Sequence, residues 1–205
     1  MIATLVMLVL IMFALSAAHA SAATIRLSDY FFSKGVGDVA TYGYTQPPGV
    51  PDFTVAITLI TDGNYQGKYH VGDIRYPDGS TSYTIVFFDN NFFYLYYDKG
   101  VTFNPPAQIP ITQELEALVP NPANHPDGFW YFKRMTRLTV PAGTYYDVLL
   151  KIDLDKSFGR NNANDFFGLP GSITYGVTNA DWSARHVGTL QDMDFDANTG
   201  APGNT

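Results

Sequence analysis

The chain of 205 residues contains no cysteine. That excludes a disulfide framework, a thiol nucleophile, a cysteine-bound zinc site and a lipid-modified N-terminal cysteine. Glutamate is almost as scarce. The only two, Glu114 and Glu116, lie together in "ITQELEAL" and face different ways if that turn is helical, so they read as solvated charge and not as a hydrolytic carboxylate pair. Basic residues are few, with 12 Lys and Arg against 19 Asp and Glu for a net charge of −7. The densest basic patch is "KRMTR" (Lys133, Arg134, Arg137), read as solvated charge on a strand. Nucleic-acid binders present clustered cations, so no nucleic-acid partner is expected. There is no Gly-x-Ser-x-Gly, no His-Glu-x-x-His and no glycine loop that follows a strand and opens a helix. No catalytic residue, metal ligand set or cofactor is therefore assigned.

Long apolar runs are also missing, with one exception. Residues Ile2 to Ala18 carry no charge and are followed by the small-x-small sites "AHA" and "ASA". This pattern predicts a secretory signal peptide over residues 1–22, hence an exported domain, periplasmic or extracellular. An uncleaved anchor is the competing reading. The run is short for a span and no basic cluster flanks it, so no stable membrane insertion is expected after cleavage. Every acidic and basic side chain lies from Arg26 onward, so the mature chain keeps the whole net charge of −7.

What the chain has in abundance is strand-forming residues, including 14 Tyr and 15 Phe. "FTVAITLI" alternates Phe53, Val55, Ile57 and Leu59 with Thr54, Ala56 and Thr58. "YYDVLLKIDLD" places Tyr146, Val148, Leu150, Ile152 and Leu154 inward and Tyr145, Asp147, Lys151 and Asp153 outward. A period of two marks a half-buried antiparallel strand. Turn signals such as "DGN", "PDG", "DNN" and "PAG" separate the runs and predict hairpins. Strands are expected near 39–44, 53–61, 68–76, 80–88, 92–97, 131–140, 144–154, 172–178 and 182–190. "ITQELEAL" (Ile111–Leu118), between Pro110 and Pro120, is the one expected helical turn. The prolines of "NPPAQIP" and "VPNPANHPDG" predict one long excursion. The expected fold is all-β: a single strongly curved antiparallel sheet or partly open β-barrel over residues 23–190, followed by a flexible acidic tail over 191–205.

Three stretches resemble a broad group of bacterial exported and lipoprotein-like β-proteins of unassigned function. Their opening pattern is Tyr-Phe-Pro, a spacer, then Gly-x-x-Trp-x-Tyr, read here as "DYFFSKGVGDVATYGY" with Phe32 and Ala40 at the proline and tryptophan positions. "TVPAGTYYDVLLKI" (Thr139–Ile152) is similar to their Val-Pro-Ala-Gly-Thr strand start, and "FFGLPGSITYGV" to their final glycine turn. The resemblance implies a curved antiparallel sheet outside a bacterial inner membrane, and it implies no reaction.

The aromatic density of "DNNFFYLYYDKG" raises the functional question. Five of the six residues from Phe92 to Tyr97 are aromatic, so a strand here carries rings on both faces. Tyr83, Ile85 and Phe87 share one face, which Phe93, Leu95 and Tyr97 could extend across a hairpin. Phe92, Tyr94 and Tyr96 form the opposite set, with Val86 and Phe88 as neighbours. Cross-strand rings stabilise a sheet whatever else they do. Tyr also stacks on sugar rings or lines an amphipathic pocket, and seven Tyr crowd into residues 65–97. The expected ligand-binding residues are Tyr94, Tyr96, Phe92, Tyr83 and Tyr69.

The remaining candidates are weaker. His70 lies near Asp73, and His125 near Asp127, while His186 stands alone; a zinc site needs three or four converging ligands, which spacing does not show. "DMDFDANTG" (Asp192, Asp194, Asp196, Asn198) and "DLDKSFGRNNAND" (Asp153–Asp165) are oxygen-rich, but the first lacks the glycine and closing Glu of a calcium loop. The expectation is a non-catalytic exported domain that binds an apolar or carbohydrate ligand. The alternatives are a structural or assembly subunit with an envelope protein partner and, more remotely, a metal-assisted hydrolase.

Overall fold

The computed structural model describes residues 23–31, 36–43, 53–75, 81–98, 100–121 and 127–203; the expected signal peptide and His125 lie outside them. The fold is all-β and antiparallel, and its sheets do not close into a barrel. One sheet has six strands in the order β2 (Val39–Tyr42), β3 (Phe53–Leu59), β4 (Tyr69–Arg75), β5 (Thr81–Phe88), β6 (Phe92–Asp98) and β7 (Val101–Pro110). A second has five, in the order β13 (Gly188–Asp194), β12 (Tyr175–Ala184), β11 (Gly143–Gly159), β10 (Gly128–Val140) and β9 (Leu118–Pro120). Among the described residues β1 (Thr24–Arg26) pairs only with β8 (Thr112–Glu114). Strands adjacent in each large sheet are also adjacent in sequence, as hairpin turns dictate. No helix of the described residues is long and apolar enough to cross a membrane.

The expected single sheet is thus divided. The break falls between Pro110, which ends β7, and Pro120, which ends β9. Proline supplies no ladder donor, and Thr112–Glu114 between them pair with β1. The expected helix at Ile111–Leu118 is therefore strand and turn. Ile111 and Gln113 are buried there, and the Glu116 backbone takes a positive φ of 58°. The short helix among the described residues is instead α1 (Asn162–Phe166).

The five-stranded sheet is covered on both faces. One face places Val148, Leu150, Ile152 and Leu154 of β11 with Val177, Ala180 and Trp182 of β12. The chain from α1 through Phe167, Leu169 and Ile173 closes over them. Arg160 clamps that segment by donating to the carbonyls of Ile173 (2.8 Å), Pro170 (3.0 Å) and Leu169 (3.2 Å) and to Asp165 Oδ1 (2.6 Å). The other face contributes Phe132 and Leu149 to a second cluster with Ile25, Leu27, Tyr30, Ile109 and Ile111. Phe88 and Phe93 pack on this cluster from the six-stranded sheet, so it joins the two sheets. Tyr42 Oη also crosses, donating to the Thr189 carbonyl at 3.0 Å.

Three more expectations are corrected. The prolines of "NPPAQIP" belong to the edge strand β7, not to an excursion. Between Leu95↔Ala107 and Tyr97↔Thr102 the register shifts, and Phe103 to Pro106 bulge out where no ladder donor is needed. The inward run of β11 changes phase at Asp147, whose φ is 55°. Tyr145 therefore packs on the core, and Tyr146, expected inside, is 70% exposed. The expected tail from 191 is structured: its first residues complete β13, Phe195 is buried, and Phe195 bridges Pro202. Asn161 Nδ2 donates to Val177 O (2.9 Å) and Ala197 O (3.0 Å), which fixes the terminal turn against α1.

Candidate functional site

The β5–β6 hairpin decides which rings meet. Asp89 Oδ1 accepts from the N–H groups of Asn91 (2.7 Å) and Phe92 (2.8 Å), and Asp89 N donates to Phe92 O at 3.0 Å. This four-residue turn pairs Phe88 with Phe93, Phe87 with Tyr94 and Val86 with Leu95. Partners directly opposite share a face. Phe93 and Leu95 therefore join Val86 and Phe88 on the inner face, and Phe92 and Tyr94 join Phe87 on the outer one. This exchanges the partners expected from sequence, because residues of opposite parity pair across the turn. A register shift after Leu95 then places Tyr97 opposite Ile85, which returns Tyr97 to the face of Tyr83.

The outer face carries two ring groups. In one, His70 lies 4.7 Å from Tyr83, and Tyr83 stacks on Tyr97 at 4.6 Å with 20° between planes. A hydrogen bond donated by the Tyr83 hydroxyl to that of Tyr97 raises the Tyr83 pKa above its ordinary value. In the other, Phe87 lies 6.0 Å from Tyr94 and Tyr94 lies 6.1 Å from Phe92. Tyr96, at the register shift, meets Tyr65 edge-on at 6.1 Å. The Lys68 ammonium sits 4.4 Å from the Phe87 ring centre and 5.2 Å from that of Tyr96. Tyr94 Oη donates to Asp89 Oδ2 at 3.0 Å. That bond raises the Tyr94 pKa, while the Asn91 and Phe92 N–H groups, with Tyr94, lower that of Asp89. Gln108 of β7, opposite Tyr94, ends the row with an exposed side chain.

Of the five expected ligand residues, Phe92, Tyr94, Tyr96 and Tyr83 belong to this outer face. Tyr69 does not. It pairs with the buried Val86 and stacks on Phe88 at 5.5 Å, on the face turned toward the second cluster. Lys68, Asp89 and Gln108 were not among the expected residues. The alternation of Lys68 with His70 in "GKYHV" was a readable signal for the first. Gln108 depends on a cross-strand register that no local pattern carries.

A second polar constellation lies on the five-stranded sheet. Register places Lys151, Asp181 and Asp192 in one cross-strand row and Trp130, Asp153, Asn179 and Asp194 in the next. Lys151 Nζ lies 2.9 Å from Asp153 and 2.5 Å from Asp181, and 5.6 Å from the Trp130 ring centre. Asn179 Nδ2 donates to Asp192 (2.7 Å) and Asp194 (3.0 Å). Burial alone would lower the Lys151 pKa, but Asp153 and Asp181 together raise it. Burial, and then Asp181, hold Asp153 above the usual carboxylate range against the pull of Lys151. The Trp130 indole N–H also favours the Asp153 carboxylate, though it falls short of hydrogen-bond geometry. Desolvation, then Asp181 and Asp194, push Asp192 up to about 7, with Asn179 opposing them. Asp192 keeps exposed surface, so its desolvation is partial. The Lys151 ammonium and the Asn179 amide thus tie four carboxylates together across three strands.

The weaker candidates are placed as follows. His70 is on β4 and His186 in the β12–β13 turn, on different sheets. Among the described residues no group of three His, Asp or Glu is arranged to hold a metal ion. Asp196 is used within its own turn, where Oδ1 accepts from Thr199 N and Oγ1 at 2.8 Å each. Lys133 and Arg134, read as solvated charge, have partners: Phe167 O at 3.2 Å and Asp147 at 2.7 Å.

No family model, curated protein or solved structure matches this chain.

Proposed function

We propose that this chain is an exported, non-catalytic domain that binds a carbohydrate through the outer aromatic face of its six-stranded sheet. The observation that carries the reading is the separation of rings by the β5–β6 register. Phe88 and Phe93 serve the core, whereas Phe87, Phe92, Tyr94 and Tyr96 point away from both hydrophobic clusters. Flat rings bordered by an ammonium, a carboxylate, phenol hydroxyls and an amide match a sugar, which offers an apolar C–H face and a rim of hydroxyls. Export is supported by the uncharged run from Ile2 to Ala18 and the small-residue sites after it.

The test is a glycan-array screen followed by titration calorimetry on any hit, with Tyr94→Ala and Tyr96→Ala alongside. Both variants should keep the unfolding midpoint within about 1 kcal/mol of the parent, because each ring has cross-strand contacts but no core role. Both should lose ligand binding. Binding that survives both substitutions would reject this surface. A second reading, an envelope assembly subunit, rests on the edge strand β2, where Val39 is 61% exposed and the nearby Val36 56%. That reading predicts concentration-dependent oligomers in analytical ultracentrifugation that Val39→Lys dissolves.

A further inference from the structure

The charges along the aromatic face are unevenly placed. Among the described residues the Lys68 ammonium pairs with no carboxylate; its partners are the faces of Phe87 and Tyr96. In this chain of net charge −7, Lys151, Arg134, Lys156, Arg160 and Arg185 are by contrast held in ion pairs. At the opposite end the Asp89 carboxylate is already held by two backbone N–H groups and Tyr94 Oη. The face therefore has a cationic end at Lys68, Phe87 and Tyr96 and an anionic end at Asp89 and Tyr94.

We infer that the ligand of this face is an acidic saccharide, a chain bearing uronic-acid-type carboxylates, bound with a carboxylate at Lys68 and neutral hydroxyls at Asp89 and Gln108. The inference rests on the carbohydrate reading above and adds charge and direction to it. The C–H face of one sugar packs on the ring surface of Tyr96 and Phe87 that the ammonium leaves uncovered, which brings its ring carboxylate to Lys68 beside it. An anionic group at the other end would meet Asp89, so the uneven charge sets the direction in which the chain lies.

The experiment compares tetragalacturonate with its fully methyl-esterified form, which keeps the sugar backbone and removes the charge. Binding is measured by calorimetry on the mature chain at 50 and 300 mM NaCl. The free acid should bind about fivefold tighter at low salt, and the difference should shrink at high salt. Lys68→Gln should weaken only the acid form, to the level of the ester, and Lys68→Arg should restore the preference. Circular dichroism and the unfolding midpoint confirm that each variant is folded. If parent and Lys68→Gln bind acid and ester equally, and Tyr94→Ala abolishes both, the acidic assignment is overturned and the carbohydrate reading stands. If the folded parent binds neither form, and the glycan screen gives no hit, both are overturned.

Discussion

Replacing Lys151 by Met removes the one cation from a row of carboxylates, and the structure sets the size of the effect. Lys151 Nζ contacts Asp181 at 2.5 Å and Asp153 at 2.9 Å, with only 19% of its side chain exposed. At an effective dielectric of ~20 each contact is worth about 6 kcal/mol gross, most of it offset by desolvation of the three groups. The substitution does more than delete these attractions. It leaves two carboxylates facing each other across β11 and β12, with Asp192 and Asp194 one strand further on. Truncating one member of a buried pair typically costs 3–5 kcal/mol; partial exposure here puts the cost near ~3 kcal/mol at pH 8. The loss depends on pH. Without the ammonium, Asp153 is held further above its unfolded value. The folded state then binds more protons than the unfolded state between about pH 4 and that raised value, so stability falls as pH rises through that window. At pH 5 the penalty should shrink to ~1–2 kcal/mol. Urea unfolding followed by the fluorescence of Trp130 and Trp182 reads both values, and Lys151→Met/Asp181→Asn should recover at least about half of the loss at pH 8. A cost below ~1 kcal/mol at pH 8, or equal costs at the two pH values, would refute the idea that the two rows act as one electrostatic unit.

Other outcomes follow from the same geometry. Asp192→Asn should stabilise the fold above pH 7 by up to ~1 kcal/mol, after allowing for its exposure, and change little below pH 4; its raised folded-state pKa makes ionisation a cost that grows with pH, and thermal melts from pH 4 to 8 measure it. Gly200→Ala should destabilise by at least ~3 kcal/mol, because its φ is 72° and an added Cβ would lie 2.7 Å from Asn162 N and closer still to Ala163 N; unchanged denaturant midpoints would show that residues 196–203 do not pack on α1. Phe132→Ala should cost about 3–5 kcal/mol in urea, since this ring is fully buried in the cluster that joins the two sheets. Tyr94→Ala and Tyr96→Ala should leave stability nearly unchanged, as calorimetric melts will show, while removing saccharide binding.

Local residue patterns were enough to give the all-β class and the position of most strands. Alternation in β11 and turn residues such as Asp89 and Asn90 are local signals, read within one turn of chain. The sequence also exposed the density of rings between Tyr65 and Tyr97. It did not say which rings share a face. That depends on whether an even or odd number of residues closes the hairpin and on where a register shift falls, and a single residue either way inverts every side chain. Phe93 was thereby sent to the core and Tyr94 to the surface. Helix and tail were misjudged for related reasons. "ITQELEAL" has helical composition, yet burial of Ile111 and Gln113 and pairing with β1 outweigh a weak local preference. The polar end of the chain lacks periodicity, yet one buried ring, Phe195, and the side chain of Asn161 hold it in place. Only the tertiary structure gathered Lys151, Asp153, Asp181, Asp192 and Asp194, and set Lys68 against Phe87 and Tyr96, because charge acts through distances in space that strand pairing alone creates.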